Sequence, residues 1–326
     1  MNKSVAWGIG LATVTDSGRT LDVWYPQPRL GEMPAEGDPK LLASLSKLEV
    51  EDPARATHTS VVRCVCDLED QPSSTADAYL RLHLLSHRLK QPNTINLDGI
   101  LSRLPSVVWT SVGPCSPDNF EETRYRLRAK YGHQIQVKGV DKFPALQDYV
   151  VPDKVRIASG ATVRLGAHLG PGTTVMDVAF INFNSGTLGR STIEGRIAQG
   201  VLVGEDSNIG GGASTMGRLA VAGGKRVRLG QHCMLGANSG LGIPLGDNCV
   251  VEAGLYLTGN TQVTLMSSGG VVPGADGRFI DPPSIPAWRL SGASNVLFRR
   301  NSQNGRVEAL ARGGQPILLP DGSVAR

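Results

Sequence analysis

The chain has 326 residues, enough for two or three domains, and a net charge of +4. That charge is too mild to argue for nucleic acid, and a site for a phosphate-rich ligand or scattered solvated Lys and Arg would explain it equally well. No apolar stretch approaches the length of a membrane span, and Met1-Asn2-Lys3-Ser4-Val5 opens no secretory signal, so neither a membrane nor a secreted context is expected.

The N-terminal 70 residues mix strand-like pieces with Pro/Gly breaks. Thr20–Tyr25 and Ser60–Cys66 read as strands, and residues 39–48 as a short helix. Cys64 and Cys66 share one strand face. The five cysteines (Cys64, Cys66, Cys115, Cys233, Cys249) form no CxxC and are expected to be reduced thiols of a cytoplasmic protein. A clear helix follows, with Ser74 and Asp77 as a capping pair and a broad apolar face over residues 78–89. A second helix is expected over 119–131, capped by Asp118, and a strand over 134–140. The six histidines show no ligand spacing.

Near Val150 the pattern changes. Ile157, Val163, Leu169, Val175 and Ile181 recur every six residues. So do Leu229, Leu235 and Leu241, and then Leu245, Val251, Leu257 and Val263. Six is neither the period of a helix nor that of a lone strand; it is the period of a hexapeptide solenoid wound as a triangular prism. The 40 glycines and 5% aromatics suit its tight corners and narrow core. The period slips around 182–200 and 210–226. Such slips are read as insertions, and insertions in a solenoid project as loops that often hold the site. Three segments are expected: an α/β domain over 1–150, the solenoid over 151–266, and a C-terminal segment over 267–326 that ends in a short hairpin or tail.

The interruptions are more specific than the repeat. Phe180–Gly189 (FINFNSGTLG), Ile193-Glu194-Gly195-Arg196, Gly210–Gly217 (GGGASTMG), Leu235–Gly240 (LGANSG), Val251–Tyr256 (VEAGLY) and Phe298–Ser302 (FRRNS) together resemble tetrahydrodipicolinate N-succinyltransferase, in the branch found in actinobacteria and pseudomonads. Residues 74–88 and Asp141–Pro144 resemble the pseudomonad members as well. The resemblance implies a left-handed parallel β-helix with an N-terminal α/β domain. It implies a homotrimer with active sites between subunits, and succinyl transfer from succinyl-CoA to the amino group of tetrahydrodipicolinate (2-amino-6-oxopimelate) in the diaminopimelate route to lysine. The acyl-CoA is a co-substrate, and no tightly bound cofactor is expected.

Residue by residue, the resemblance makes Glu194 the catalytic carboxylate, as base or as acyl acceptor, and gives Gly217 a part in the oxyanion site. Arg196, Gly211, Ser214, Ala237, Glu252 and Ala253 fall where the family meets acyl-CoA, and Arg299, Arg300, Asn301 and Ser302 where it meets the nucleotide end. The chemistry of these types agrees. Glycines let backbone N–H groups approach a ligand, small residues leave a groove for a thin thiol arm, and guanidinium groups match carboxylates and phosphates.

Three departures matter. Two acids that bind magnesium on the three-fold axis of relatives are here Ala161 and Val178, so no metal is expected. A lysine near CoA becomes Pro286, and a glycine becomes Asn260. They leave open a paralogue that acylates a related amino acid in a tabtoxin-like secondary pathway, with acetyl-CoA as a possible donor. A non-catalytic trimeric scaffold is the alternative of another class. A carbonic anhydrase on this prism needs three zinc histidines, and only His168 and His232 lie in the solenoid; sugar-nucleotide acyltransferases usually rely on a histidine base, and no matching motif occurs.

Overall fold

A computed structural model describes residues 4–217, 226–266 and 282–325. It divides into two compact units: residues up to Val151 with Arg164–Gly166, and Pro152–Val163 with the chain from Ala167 onward.

In the first unit the long strand Val5–Thr15 pairs antiparallel with Thr20–Trp24 and with Thr57–Asp67. The helix Thr75–Ser86 packs on this sheet, and every residue from Asp77 to Ser86 is buried. The expected apolar face is therefore a wholly enclosed helix. Its polar members survive burial through hydrogen bonds. Arg81, with no exposed surface, binds Asp77 at 2.7 Å and the carbonyls of Asp67, Leu68 and Asn96. Ser74 caps the helix through the Asp77 N–H, as its spacing predicts. The Phe120–Tyr131 helix starts differently. Asn119 stands at its N-cap with φ 50°, and Asp118, the expected cap, is drawn off by Arg19 at 2.8 Å. The cysteine expectation agrees in its geometry: Cys64 and Cys66 are buried either side of an exposed Val65, and all five thiols are free.

The second unit is a left-handed parallel β-helix. Its two- and three-residue strands stack into three parallel sheets. One runs through Thr162–Val163, Phe180–Ile181, Arg196–Ile197, Ser214–Thr215, Gly240–Leu241 and Tyr256–Leu257. A second runs through His168–Leu169, Gly186–Thr187, Leu202–Val203 and Arg228–Leu229. The third contains Thr173–Val175, Ser191–Ile193, Ser207–Ile209, Met234–Leu235 and Val250–Val251. The aliphatic ladder points inward, and all of it from Val163 to Val263 is buried; Ile157, at the first coil, is only partly so. The ladder also runs through both slips, with Thr187 and Thr215 taking inward places as buried threonines.

The slips differ from each other. Between Thr215 and Leu229 the chain holds eight residues beyond the regular step of six, and residues 218–225 there lie outside the described residues. Around 182–200 there is no insertion. The ladder instead shortens, from Ile193 to Ile197 in four residues. The expected projecting loop is a clipped corner.

Among the described residues, the C-terminal segment continues the second unit. Val296–Arg300 extends the third sheet beyond Val250–Val251, and Val307–Ala311 pairs with it antiparallel and with Gln262–Met266 in parallel. The apolar rows Val296/Phe298 and Val307/Ala309 close the core where the coils end.

Candidate active site

Most corners between the third and first sheets use four residues: Met176–Ala179, Gly210–Ala213, Gly236–Ser239 and Glu252–Leu255. The clipped corner uses two, Glu194 and Gly195. The backbone pairing shows what is lost. Glu194 N–H donates to Ile209 at 2.8 Å and Arg196 N–H to Ala213 at 2.8 Å, so the coil bearing Glu194 has nothing opposite Gly211 and Gly212. Those two missing residues leave a notch beneath Gly211, and the Glu194 side chain extends into it. A Cβ placed on Gly211 would stand 3.5 Å from the Glu194 carboxylate. Gly195 makes the tight corner possible, since a Cβ there would lie 2.2 Å from the Ala213 carbonyl oxygen.

Above this notch the same edge continues coil by coil. Asn238 N–H donates to Gly211 (2.9 Å), Gly254 N–H to Ala237 (2.8 Å), and Glu252 N–H to Phe298 (2.9 Å). Glu194, Gly211, Ala237, Glu252 with Ala253, and Arg299 with Arg300 thus stand in file along one edge. Four coil steps of ~4.8 Å separate Glu194 from Arg299, roughly 19 Å in all. Ala237 and Ala253 are exposed and small, so the edge between the acid and the arginines is a shallow track.

Arg196 and Ser214 lie beside this file on the outer face of the first sheet, in register with each other and with Phe180. The Arg196 guanidinium sits 4.6 Å from the centre of the Phe180 ring and makes no ion pair among the described residues. Tyr256 belongs to the same row. Its ring lies across Gly240, where a Cβ would meet it at 2.4 Å. Sequence reasoning missed that role of Tyr256; the only signal was a glycine at a strand position.

The remaining expected residues stand around this file. Gly217 is not on the edge. It lies at the next corner, beside Ala198 and Gln199, so one face of the prism separates it from Glu194 in a single chain. The Glu252 carboxylate accepts the Arg300 N–H at 2.7 Å and braces the end of the file. The arginine pair is held in place by its neighbours. Arg299 is held by Glu308 at 2.9 Å, Arg300 donates to the Gly305 carbonyl at 2.9 Å, and Asn301 donates to Glu308 at 2.7 Å; Ser302 is exposed on the turn beyond.

A groove of about 470 Å³ opens on a different edge, lined by Leu202, Glu205, Arg228, Gln231 and Asp247 among others. It contains none of the expected site residues. Among the described residues of the first unit, exposed Asp16 and Glu51 approach His58 closely enough to share a cation, a juxtaposition invisible in sequence spacing.

The fold and this edge define a hexapeptide-repeat protein with a carboxylate set into a clipped corner at the foot of a small-residue track. The comparisons agree. The family model "Tetrahydrodipicolinate N-succinyltransferase middle" matches residues 104–145, and "Hexapeptide repeat of succinyl-transferase" matches residues 226–259. The 2,3,4,5-tetrahydropyridine-2,6-dicarboxylate N-succinyltransferases of Pseudomonas aeruginosa and Pseudomonas paraeruginosa are each 50% identical over 237 residues, 73% of this chain and 66% of theirs. The matched part of the chain thus spans just under two thirds of these curated relatives. A crystal structure of a putative 2,3,4,5-tetrahydropyridine-2-carboxylate N-succinyltransferase from Campylobacter jejuni superposes with a TM-score of 0.78 at 27% identity, over 95% of this chain and 93% of that one. The chain belongs to the tetrahydrodipicolinate N-succinyltransferase family.

Proposed function

We propose that this chain is an acyl-CoA-dependent N-acyltransferase that moves the succinyl group of succinyl-CoA to the amino group of tetrahydrodipicolinate, in the diaminopimelate route to lysine. The observation that carries the reading is the file on one edge, with Glu194 in its notch at one end and the Arg299–Arg300 pair at the other. A thioester on a long thin arm fits such a track, its phosphates toward the arginines and its carbonyl toward Glu194.

Glu194 takes a proton from the attacking amine as nitrogen adds to the thioester carbonyl. The tetrahedral oxyanion then collapses, the C–S bond breaks, and the proton passes to the departing thiolate. Arg196, splayed over Phe180 beside Ser214, clamps a carboxylate of the bound substrates. Backbone N–H groups of the glycine run serve the oxyanion.

Gly217 stands a face away from Glu194, which supports a homotrimer in which one copy's Gly217 corner completes its neighbour's site. The setting is the cytoplasm. No helix among the described residues is long and apolar enough to cross a membrane. The acyl-CoA is a co-substrate rather than a resident cofactor.

The departures at Val178, Ala161 and Pro286 keep one test necessary. Succinyl-CoA and acetyl-CoA are crossed with tetrahydrodipicolinate and related amino-dicarboxylates, with thiol release as the readout. Succinyl-CoA with tetrahydrodipicolinate is the pair expected to turn over fastest, and Glu194→Gln is expected to lower kcat by about 100-fold or more. Undiminished turnover in that variant would remove Glu194 from the mechanism. Faster turnover of acetyl-CoA would assign the chain to a secondary pathway.

A further inference from the structure

We propose that Glu308 is a positioning residue for the nucleotide end of the acyl donor, an inference that rests on the acyl-CoA reading above. Glu308 lies on Val307–Ala311, the middle strand of three, between Gln262–Met266 and Val296–Arg300. Its side chain is only 5% exposed. A carboxylate that deep persists only if its oxygens are satisfied. Both are, and by two residues alone among the hydrogen bonds of the described residues. Oε2 accepts a hydrogen bond from Nε of Arg299 at 2.9 Å, with Nη2 in ion-pair contact at 2.9 Å, and Oε1 accepts from Nδ2 of Asn301 at 2.7 Å.

The pairing is directional. Arg299 stands directly opposite Glu308 in the antiparallel register, so the two side chains leave the same face. One edge of the guanidinium is spent on the carboxylate. The Arg299 side chain is nonetheless 43% exposed, so its remaining N–H groups face outward. Glu308 therefore fixes the fork in one orientation at the end of the track. Asn301 is fixed by the same carboxylate, and its backbone N–H donates to Arg306 at 2.8 Å, which sets the turn that follows. A guanidinium held this way loses little freedom when a phosphate arrives. Its neighbour Arg300 is anchored separately, through its backbone on Glu252. The Arg299 guanidinium is thus oriented by the buried carboxylate of Glu308, while Arg300 is held at its backbone by Glu252 and at its side chain by the Gly305 carbonyl.

The test compares two donors, succinyl-CoA and a truncated thioester without a nucleotide, S-succinyl-N-acetylcysteamine. Glu308→Gln is expected to raise KM for succinyl-CoA by about ten-fold, with kcat within about two-fold and no change in KM for the truncated donor. Arg299→Lys keeps the charge on an exposed side chain but has no Nε–H to hold its head against Glu308. It is expected to show the same donor-dependent rise, and the double variant to be no worse than either single one. Equal losses with both donors, additive losses in the double variant, or an unchanged KM for succinyl-CoA in both single variants would each overturn the role of Glu308. No transfer from either donor by the unaltered protein would overturn the acyl-CoA reading itself.

Discussion

Left-handed backbone recurs at the prism corners, and its occupants are telling. On the edge that bears the site, Gly212, Asn238 and Gly254 have φ of 70°, 56° and 73°, residue types that tolerate that conformation. Val178 has φ 60° on the same edge, one coil before Glu194, and is 81% exposed. A β-branched residue there strains the backbone without gaining a buried side chain, at a cost of order 1–3 kcal/mol. Val178→Asn is therefore expected to raise stability by about 1 kcal/mol, read as a higher thermal midpoint. An unchanged or lower midpoint would show that Val178 makes contacts that offset the strain. At this scale the candidate residues were legible through their motif. Glu194 stands at a break in the ladder, and the resemblance of that motif singled out Glu194 and Arg196. Glu308 was not legible, since an acid in a short apolar strand gives no sign of its partners nine and seven residues earlier.

The Thr75–Ser86 helix shows what enclosure does to ordinary side chains. His83 is fully buried, with Nδ1 bonded to the Tyr79 carbonyl at 2.8 Å and Nε2 accepting the Tyr25 N–H at 3.2 Å. Both nitrogens are used by a neutral ring, and burial lowers its pKa from 6.5 to about 3. The unfolded chain thus binds an extra proton between those values. The contribution of His83 is fully present above pH 6.5 and drains as pH falls toward 3, by a few kcal/mol in all. Asp22 acts in the opposite sense. Burial raises its pKa against hydrogen bonds from Tyr149 and Thr13, so its contribution is present at low pH and lost as pH rises through the raised value. Comparing variants separates the two. His83→Gln is expected to be less stable at pH 7 but to lose less on going to pH 4.5, followed by urea unfolding. Parallel losses would assign the pH dependence elsewhere. The helix itself is legible from its cap and its leucines; its burial on all sides is not, because Arg81, Asp77 and His83 read as solvent-facing until their partners are known.

For the molecule as a whole, a solenoid must end its coils without leaving an open core or a bare sheet edge. Here the last coil is closed by Val296–Arg300 and Val307–Ala311, the same strands that bear Arg299 and Glu308. Closing the core and building the end of the site are thus one structural act. The proposed homotrimer is expected to sediment as a single species of three times the 34.5 kDa chain mass. A monomer retaining full turnover would break the argument from Gly217.

The sequence by itself determined the solenoid, because a period of six admits no other regular winding, and it marked a candidate site at the points where that period fails. Only the tertiary structure decided the sense of each failure. One is a corner short by two residues and the other a lengthened step, and the two read alike in one dimension. The difference lies in hydrogen bonds between coils. These align Glu194 with the residue before Gly211 and leave a gap where two backbone units are missing. The antiparallel pairing of the last two strands set Glu308 opposite Arg299, a contact fixed by strand register rather than by any local pattern.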